Sequence, residues 1–239
     1  MTQTTPANPA TNPLALTFIL LTVCLDAIGI GLIFPVMPDL MVEVTGLSLS
    51  EAALWGGAIT ASFAIMQFLF GPVVGNLSDR FGRRPVLLIS MTVMALDYAI
   101  MGLAASVWVL LVARAVSGIT AATHSTANAF IADISTPDQR AKRFGLIGAA
   151  FGVGFVLGPI AGGLLAGIDS RAPFWAAAAL AGANAVFGFF VLPETLAHQH
   201  RQPFNVQHLM RGYWALGASP KFVLLAFASG IPFNGMFLY

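Results

Sequence analysis

Gly75-Asn76-Leu77-Ser78-Asp79-Arg80-Phe81-Gly82-Arg83-Arg84-Pro85-Val86-Leu87-Leu88 joins two long apolar runs and concentrates its charge between them. Glycines at 75 and 82 permit a tight turn with close approach of the flanking helices. Pro85 suits the first turn of a helix, where its missing N–H would lack a partner anyway. The spacing predicts a compact charged turn in which Asp79 faces a helix N-terminus or an arginine, and Arg83 faces a carboxylate. Loop charge alone would account for the arginines, but not for Asp79 or the glycine spacing.

Outward from this turn, apolar runs recur at residues 14–34, 53–74, 85–105, 107–131, 144–168 and 174–192. Each has the ~20 residues that a helix rising ~1.5 Å per residue needs to cross a bilayer core. The chain is 57% hydrophobic and 9% charged, against roughly 25% charged in a soluble domain, which argues against a soluble fold. The expected fold is an all-α membrane protein, a six-helix bundle over 14–192. Residues 1–13 read as a short disordered tail, since they lack the basic start of a signal peptide. Residues 193–221 read as a polar linker, and 222–239 as the start or whole of a seventh membrane segment. His198, His200 and His208 in the linker have no metal-ligand rhythm.

The basic residues fix the orientation. Arg80, Arg83 and Arg84 follow the second run, Arg140, Lys142 and Arg143 the fourth, and Arg201, Arg211 and Lys221 the sixth, which is nine of the 11 lysines and arginines. The opposite connections carry Asp39, Glu43, Glu51 and Asp169 with only Arg171. The positive-inside rule therefore places the N-terminus and the basic loops in the cytoplasm. The net charge of +1 and the absence of a basic, aromatic-interleaved patch argue against a nucleic-acid partner. Cys24 is the single cysteine, which removes internal disulfides and CxxC metal sites. No HExxH or GxSxG pattern suggests an enzyme.

Three further features carry chemistry. Arg114 lies at membrane depth, where a charge needs a cavity or a partner. With Ser117, Ala121, His124 and Asn128 it falls on one face at helical spacing, as expected of a helix lining a water-filled path. His124 could relay a proton, touch a substrate or simply hydrogen-bond between helices. Asp26 and Asp97 are carboxyl groups at similar depth, and a carboxyl withdrawn from water binds a proton more readily unless a cation holds it ionised. We expect Asp26, Asp97 and Arg114 to line one cleft; the alternative is a static ion pair of one aspartate with Arg114. Finally, residues 144–168 carry Gly145, Gly148, Gly152, Gly154, Gly158, Gly162, Gly163 and Gly167 around Pro159, and small residues four apart let helices meet at backbone distance.

The stretch 75–88 is similar to the loop signature of the major facilitator superfamily. The resemblance implies a cytoplasmic gate in which Gly75, Asp79, Arg80, Gly82, Arg83 and Arg84 act with an acid at the end of the fourth span, here Asp133. The string around Arg114 resembles the superfamily's fourth-span motif, whose arginine is associated with proton transfer. Gly145, Gly154, Gly158-Pro159 and Gly162-Gly163 resemble its antiporter motif, which implies an exporter. Leu25-Asp26-Ala27-Ile28-Gly29, Asp97-Tyr98 and the run from Ser117 to Asp133 look like the tetracycline exporter branch, over residues 1–194. That branch implies exchange of a metal-chelated drug cation for a proton in the bacterial inner membrane, with no cofactor beyond the proton gradient. It places Asp26, Asp97 and Gln67 on the pathway. Residues 203–239 look more like Bcr/CflA-type multidrug exporters. A complete member has two six-span halves with the site between them, so the resemblance implies that only the N-terminal half is present and that a C-terminal half is its partner. A non-transporting bundle that pairs with another protein is the competing expectation.

Overall fold

In the computed structural model, which describes residues 13–121 and 123–194, every element is helical. Helix α1 (Pro13–Ile33) continues through a 3-10 turn (Phe34–Val36) into α2 (Met37–Thr45); α3 (Leu49–Phe81), α4 (Arg83–Leu103), α5 (Val107–Thr120), α6 (Thr123–Ile134), α7 (Pro137–Ala166) and α8 (Ala172–Val191) follow. Six spans among the described residues are long and apolar enough to cross a membrane: α1 with α2 forms the first, and α5 with α6 the fourth. The expected tail, the linker beyond Glu194 and the seventh segment lie outside the described residues.

Helix ends are set by local chemistry. Gly46, in the left-handed region at φ 67°, donates its N–H to the Val42 carbonyl at 2.9 Å and ends α2. Ser48 and Glu51 form a capping box that starts α3, the Ser48 N–H reaching Glu51 Oε2 at 3.2 Å. The Ser106 hydroxyl accepts from the Trp108 N–H at the start of α5.

The charged stretch expected to be a turn is mostly helix. Helix α3 has 33 residues, about 50 Å at 1.5 Å per residue, so it runs through Gly75, Asp79 and Arg80 well past the apolar part of the span. A methyl group at Gly75 would meet nothing within 4 Å, so that glycine neither turns the chain nor admits a neighbour. Gly82 alone separates α3 from α4, at φ 111° and ψ 157°, a conformation open to glycine and strained for other residues. The fourth span also departs from expectation: it breaks after Thr120, so the face proposed from Arg114 to Asn128 is not continuous.

Lipid supplies no apolar driving force between helices, so close packing has to hold them together. Gly154, Gly158 and Gly162 form one face of α7 laid against the α1 backbone. A β-carbon at Gly158 would stand 2.6 Å from the Gly31 Cα, and one at Gly154 or Gly162 would collide with the carbonyls of Cys24 or Leu32. Gly145, Gly148, Gly152 and Gly163 are exposed and have open space, so they take no part in this seam. Gly118 of α5 similarly lies against the Phe63 carbonyl of α3. Two apolar clusters form, one around Phe18, Leu87, Phe130 and Ile131 and one around Leu32, Met41, Tyr98 and Phe174. Asp26 falls between them along α1. Outward-facing Leu54, Leu103, Leu164 and Phe190 are largely exposed, as suits side chains that meet acyl chains.

Candidate functional site

Between the clusters lies a cavity of about 240 Å³ lined by Asp26, Ile30, Phe63, Gln67, Met94, Tyr98, Ala121, Thr123 and Phe151. Five helices meet there, and the break in the fourth span helps create it. Helix α5 stops at Thr120 and α6 begins at Thr123, which leaves carbonyls without their usual donors. Ser90 Oγ donates to the Thr120 carbonyl at 2.6 Å, and Gln67 Nε2 donates to the Ala121 carbonyl at 3.3 Å. Thr123 hydrogen-bonds to the half-buried Asp26. The result is an apolar and aromatic pocket whose lining includes the carboxyl of Asp26, the amide of Gln67 and the hydroxyl-bearing Thr123 and Tyr98, the usual make-up of a small-molecule site.

Asp97 and Arg114 do not line this cavity. They pair with each other behind Tyr98, with Arg114 Nη2 2.5 Å from Asp97 Oδ2 and Asp97 2% exposed. The guanidinium carbon sits 5.5 Å from the Phe63 ring centre and 5.7 Å from that of Tyr98, and Nη2 is 2.9 Å from Met101 Sδ. A delocalised cation between two ring faces is well placed for cation–π attraction in a water-poor setting. Gly29 leaves room for the Tyr98 ring, which would lie 3.2 Å from a β-carbon there. The expectation of one cleft holding all three ionisable groups is thus corrected: Asp26 faces open space, and Asp97 is held by its cation.

At the basic end, Arg83 at the start of α4 reaches back to Asp79 one turn below it on α3 and across to Asp133 at the end of α6, Nε to Oδ2 being 3.2 Å. Its Nη1 also donates to Ser78 Oγ at 2.6 Å. Three helices meet on one guanidinium, whose fork of donors suits two carboxylates and a hydroxyl at once. Arg80 and Arg84 stay outside this cluster. Arg80 lies 5.1 Å from the Phe81 ring centre, and Arg84 turns to α8, donating to the Phe189 carbonyl at 2.5 Å.

Of the residues singled out from sequence, the structure brings Asp26 and Gln67 to one cavity and Asp79, Arg83 and Asp133 to one junction. Asn128 is exposed and outside the cavity, and the His124 side chain lies outside the described residues. Sequence reasoning missed Thr123, Ser78 and Glu194. It also missed the role of Arg171, which donates to the carbonyls of Gly102 at 3.1 Å and Ala104 at 2.8 Å and pairs with Glu43 at 2.8 Å. Arg171 was visible as the lone basic residue among acidic connections, and a cation set against a helix C-terminus is a recognisable device.

The chain has clear relatives. The chain is 48% identical over 207 residues to the tetracycline resistance protein, class C, of Escherichia coli, an alignment covering 85% of this chain and 51% of that protein. It is 38% identical over 179 residues to multidrug resistance protein 2 of Bacillus subtilis, covering 74% and 44% respectively. Among solved structures it is similar to the human organic anion transporter MFSD10 (TETRAN), with a TM-score of 0.72 at 29% identity over 81% of this chain and 51% of that one. The chain spans about half the length of the curated relatives it matches. The family match covers residues 19–239, and with these relatives and this bundle it shows that the chain belongs to the Major Facilitator Superfamily.

Proposed function

We propose that this chain forms the N-terminal, six-span half of a proton-coupled drug exporter, most closely suited to tetracycline or a related compound carried as a metal-chelated cation. The observation that carries the proposal is the cavity: Asp26 meets open space at midspan, while the nearby Asp97 has its charge matched by Arg114. A carboxyl in such a pocket can hold either a proton or a cationic substrate, and competition between the two for one group is the simplest basis for exchange. Gln67 and Thr123 offer orienting hydrogen bonds, and Ile30, Phe63 and Phe151 offer apolar faces. Alternating access needs a second half to close the site from the other side, supplied by the rest of the transporter. Arg83 bridging Asp79 and Asp133 acts as the gate latch. The distribution of lysine and arginine supports a bacterial inner-membrane orientation with the basic end in the cytoplasm.

The similarity to a Bacillus multidrug resistance protein, together with the largely apolar cavity wall, favours a broader range of lipophilic cations as the second reading. Everted vesicles holding a complete transporter that contains this sequence test the coupling, and uptake of a lipophilic cation beside tetracycline separates the two readings. Under an imposed pH gradient, Asp26→Asn should abolish the pH dependence of tetracycline uptake and weaken drug binding, whereas Asp97→Asn, outside the cavity, should weaken uptake without abolishing its pH dependence. If Asp26→Asn transports with unchanged pH dependence, the proton is exchanged elsewhere and the proposal fails.

A further inference from the structure

Helix α4 begins one residue after α3 ends, and that residue is Gly82, which carries no side chain to fix the angle between them. Something else must set where Arg83 stands. Beyond the C-terminal end of α8, Glu194 turns its carboxylate onto the start of α4: Oε1 accepts the Arg83 N–H at 2.9 Å, and Oε2 accepts the Arg84 N–H at 3.3 Å. An anion spanning two free amides at a helix N-terminus is favoured both by the hydrogen bonds and by the positive end of the helix dipole. The contact is reciprocated, since Arg84 Nη2 donates to the Phe189 carbonyl in the last turn of α8 and its guanidinium lies 5.6 Å from the Phe189 ring centre. Each helix end is therefore capped by a charge from the other.

We propose that Glu194 is the positioning residue of the Arg83 junction. By holding the backbone of Arg83 it aims the guanidinium at Asp79, Ser78 and Asp133. This assignment concerns the junction's geometry and stands apart from the identity of any transported drug.

Two measurements on the 239-residue chain in lipid nanodiscs test the assignment without any drug. The first is hydrogen–deuterium exchange over residues 82–88. Glu194→Ala should speed exchange of the first-turn amides about tenfold, Glu194→Gln should do so less because it keeps an acceptor oxygen, and Arg80→Ala should leave exchange unchanged. The second is a spin-label distance between Phe81→Cys and Ala141→Cys in a Cys24→Ser background, which reports how firmly the end of α3 is held against the start of α7, itself tied to the end of α6 by the Arg143 hydrogen bond to the Ile134 carbonyl at 2.6 Å. Glu194→Ala should broaden this distribution as much as Arg83→Ala does, and Glu194→Gln should partly restore it. Unchanged exchange overturns the cap. Faster exchange with an unchanged narrow distance overturns the positioning role and leaves Glu194 as a cap alone. Failure of drug transport in a complete protein bears on the proposed function and on neither of these readouts.

Discussion

Replacing Gly158 by alanine offers a sharp test of the packing argument. Its β-carbon would lie 2.6 Å from the Gly31 Cα, 2.8 Å from the Ile28 carbonyl oxygen and 2.9 Å from the Gly31 carbonyl carbon. Carbon pairs prefer about 3.5–4.0 Å, so α1 and α7 must part by about 1 Å at this level. All nearby atoms belong to backbone, and no flexible side chain can yield. Overpacking a rigid site costs about 1–3 kcal/mol, and we expect about 2 kcal/mol, because opening the seam here also loosens Gly154 and Gly162. Gly152→Ala on the same helix is the control, since nothing lies within 4 Å of its added carbon; its effect should stay within about 0.5 kcal/mol. Reversible unfolding in mixed micelles, followed by tryptophan fluorescence, measures both. Equal stabilities for the two variants would refute the account of the α1–α7 seam.

Two other outcomes follow from the charged and strained positions. Arg114→Met alone should destabilise the bundle by about 3 kcal/mol by stranding the buried Asp97 carboxylate, and adding Asp97→Leu should recover most of the loss; an additive double variant in the same unfolding assay would show that the pair is not coupled. Gly82→Ala should cost about 2 kcal/mol, because φ 111° with ψ 157° is strained for alanine, and it should disturb the Arg83 junction; an unchanged melting temperature and an unchanged Phe81–Ala141 spin-label distance would count against a strained link.

The sequence makes the six spans legible because lipid demands long apolar stretches, and hydropathy reports that demand directly. Helix ends were less legible for the same reason. Helix α3 keeps its hydrogen bonds through Ser78, Asp79 and Arg80, where the apolar signal has already stopped, and α7 starts at Pro137, several residues before its apolar stretch. Periodicity placed Arg114, Ser117 and Ala121 on a common face but assumed an unbroken helix, and nothing in the letters near Ala121 announces the break. The glycines of α7 look alike in sequence, yet only Gly154, Gly158 and Gly162 face α1, a distinction that depends on how the neighbouring helix is rotated. Asp97 and Asp26 were equivalent candidates until burial beside Arg114 separated them. Glu194 lay hidden because its partners are backbone amides more than a hundred residues away, and a backbone N–H has no residue-specific signature.

Helix α4 joins the two charged regions in one piece. Arg83 and Asp97 stand 14 residues apart on it, about 21 Å along the axis, and the span between them contains no glycine and only Pro85, in the first turn. A regular helix hardly compresses along its length, so α4 is built as a connecting rod: an axial shift imposed where Asp97 meets Arg114 would be carried to the Arg83 junction by the backbone itself, with no relay of intervening side chains. The ends are held by different neighbours, Glu194 at one and Arg171 at the other, so freeing either bearing changes the stroke of the same rod.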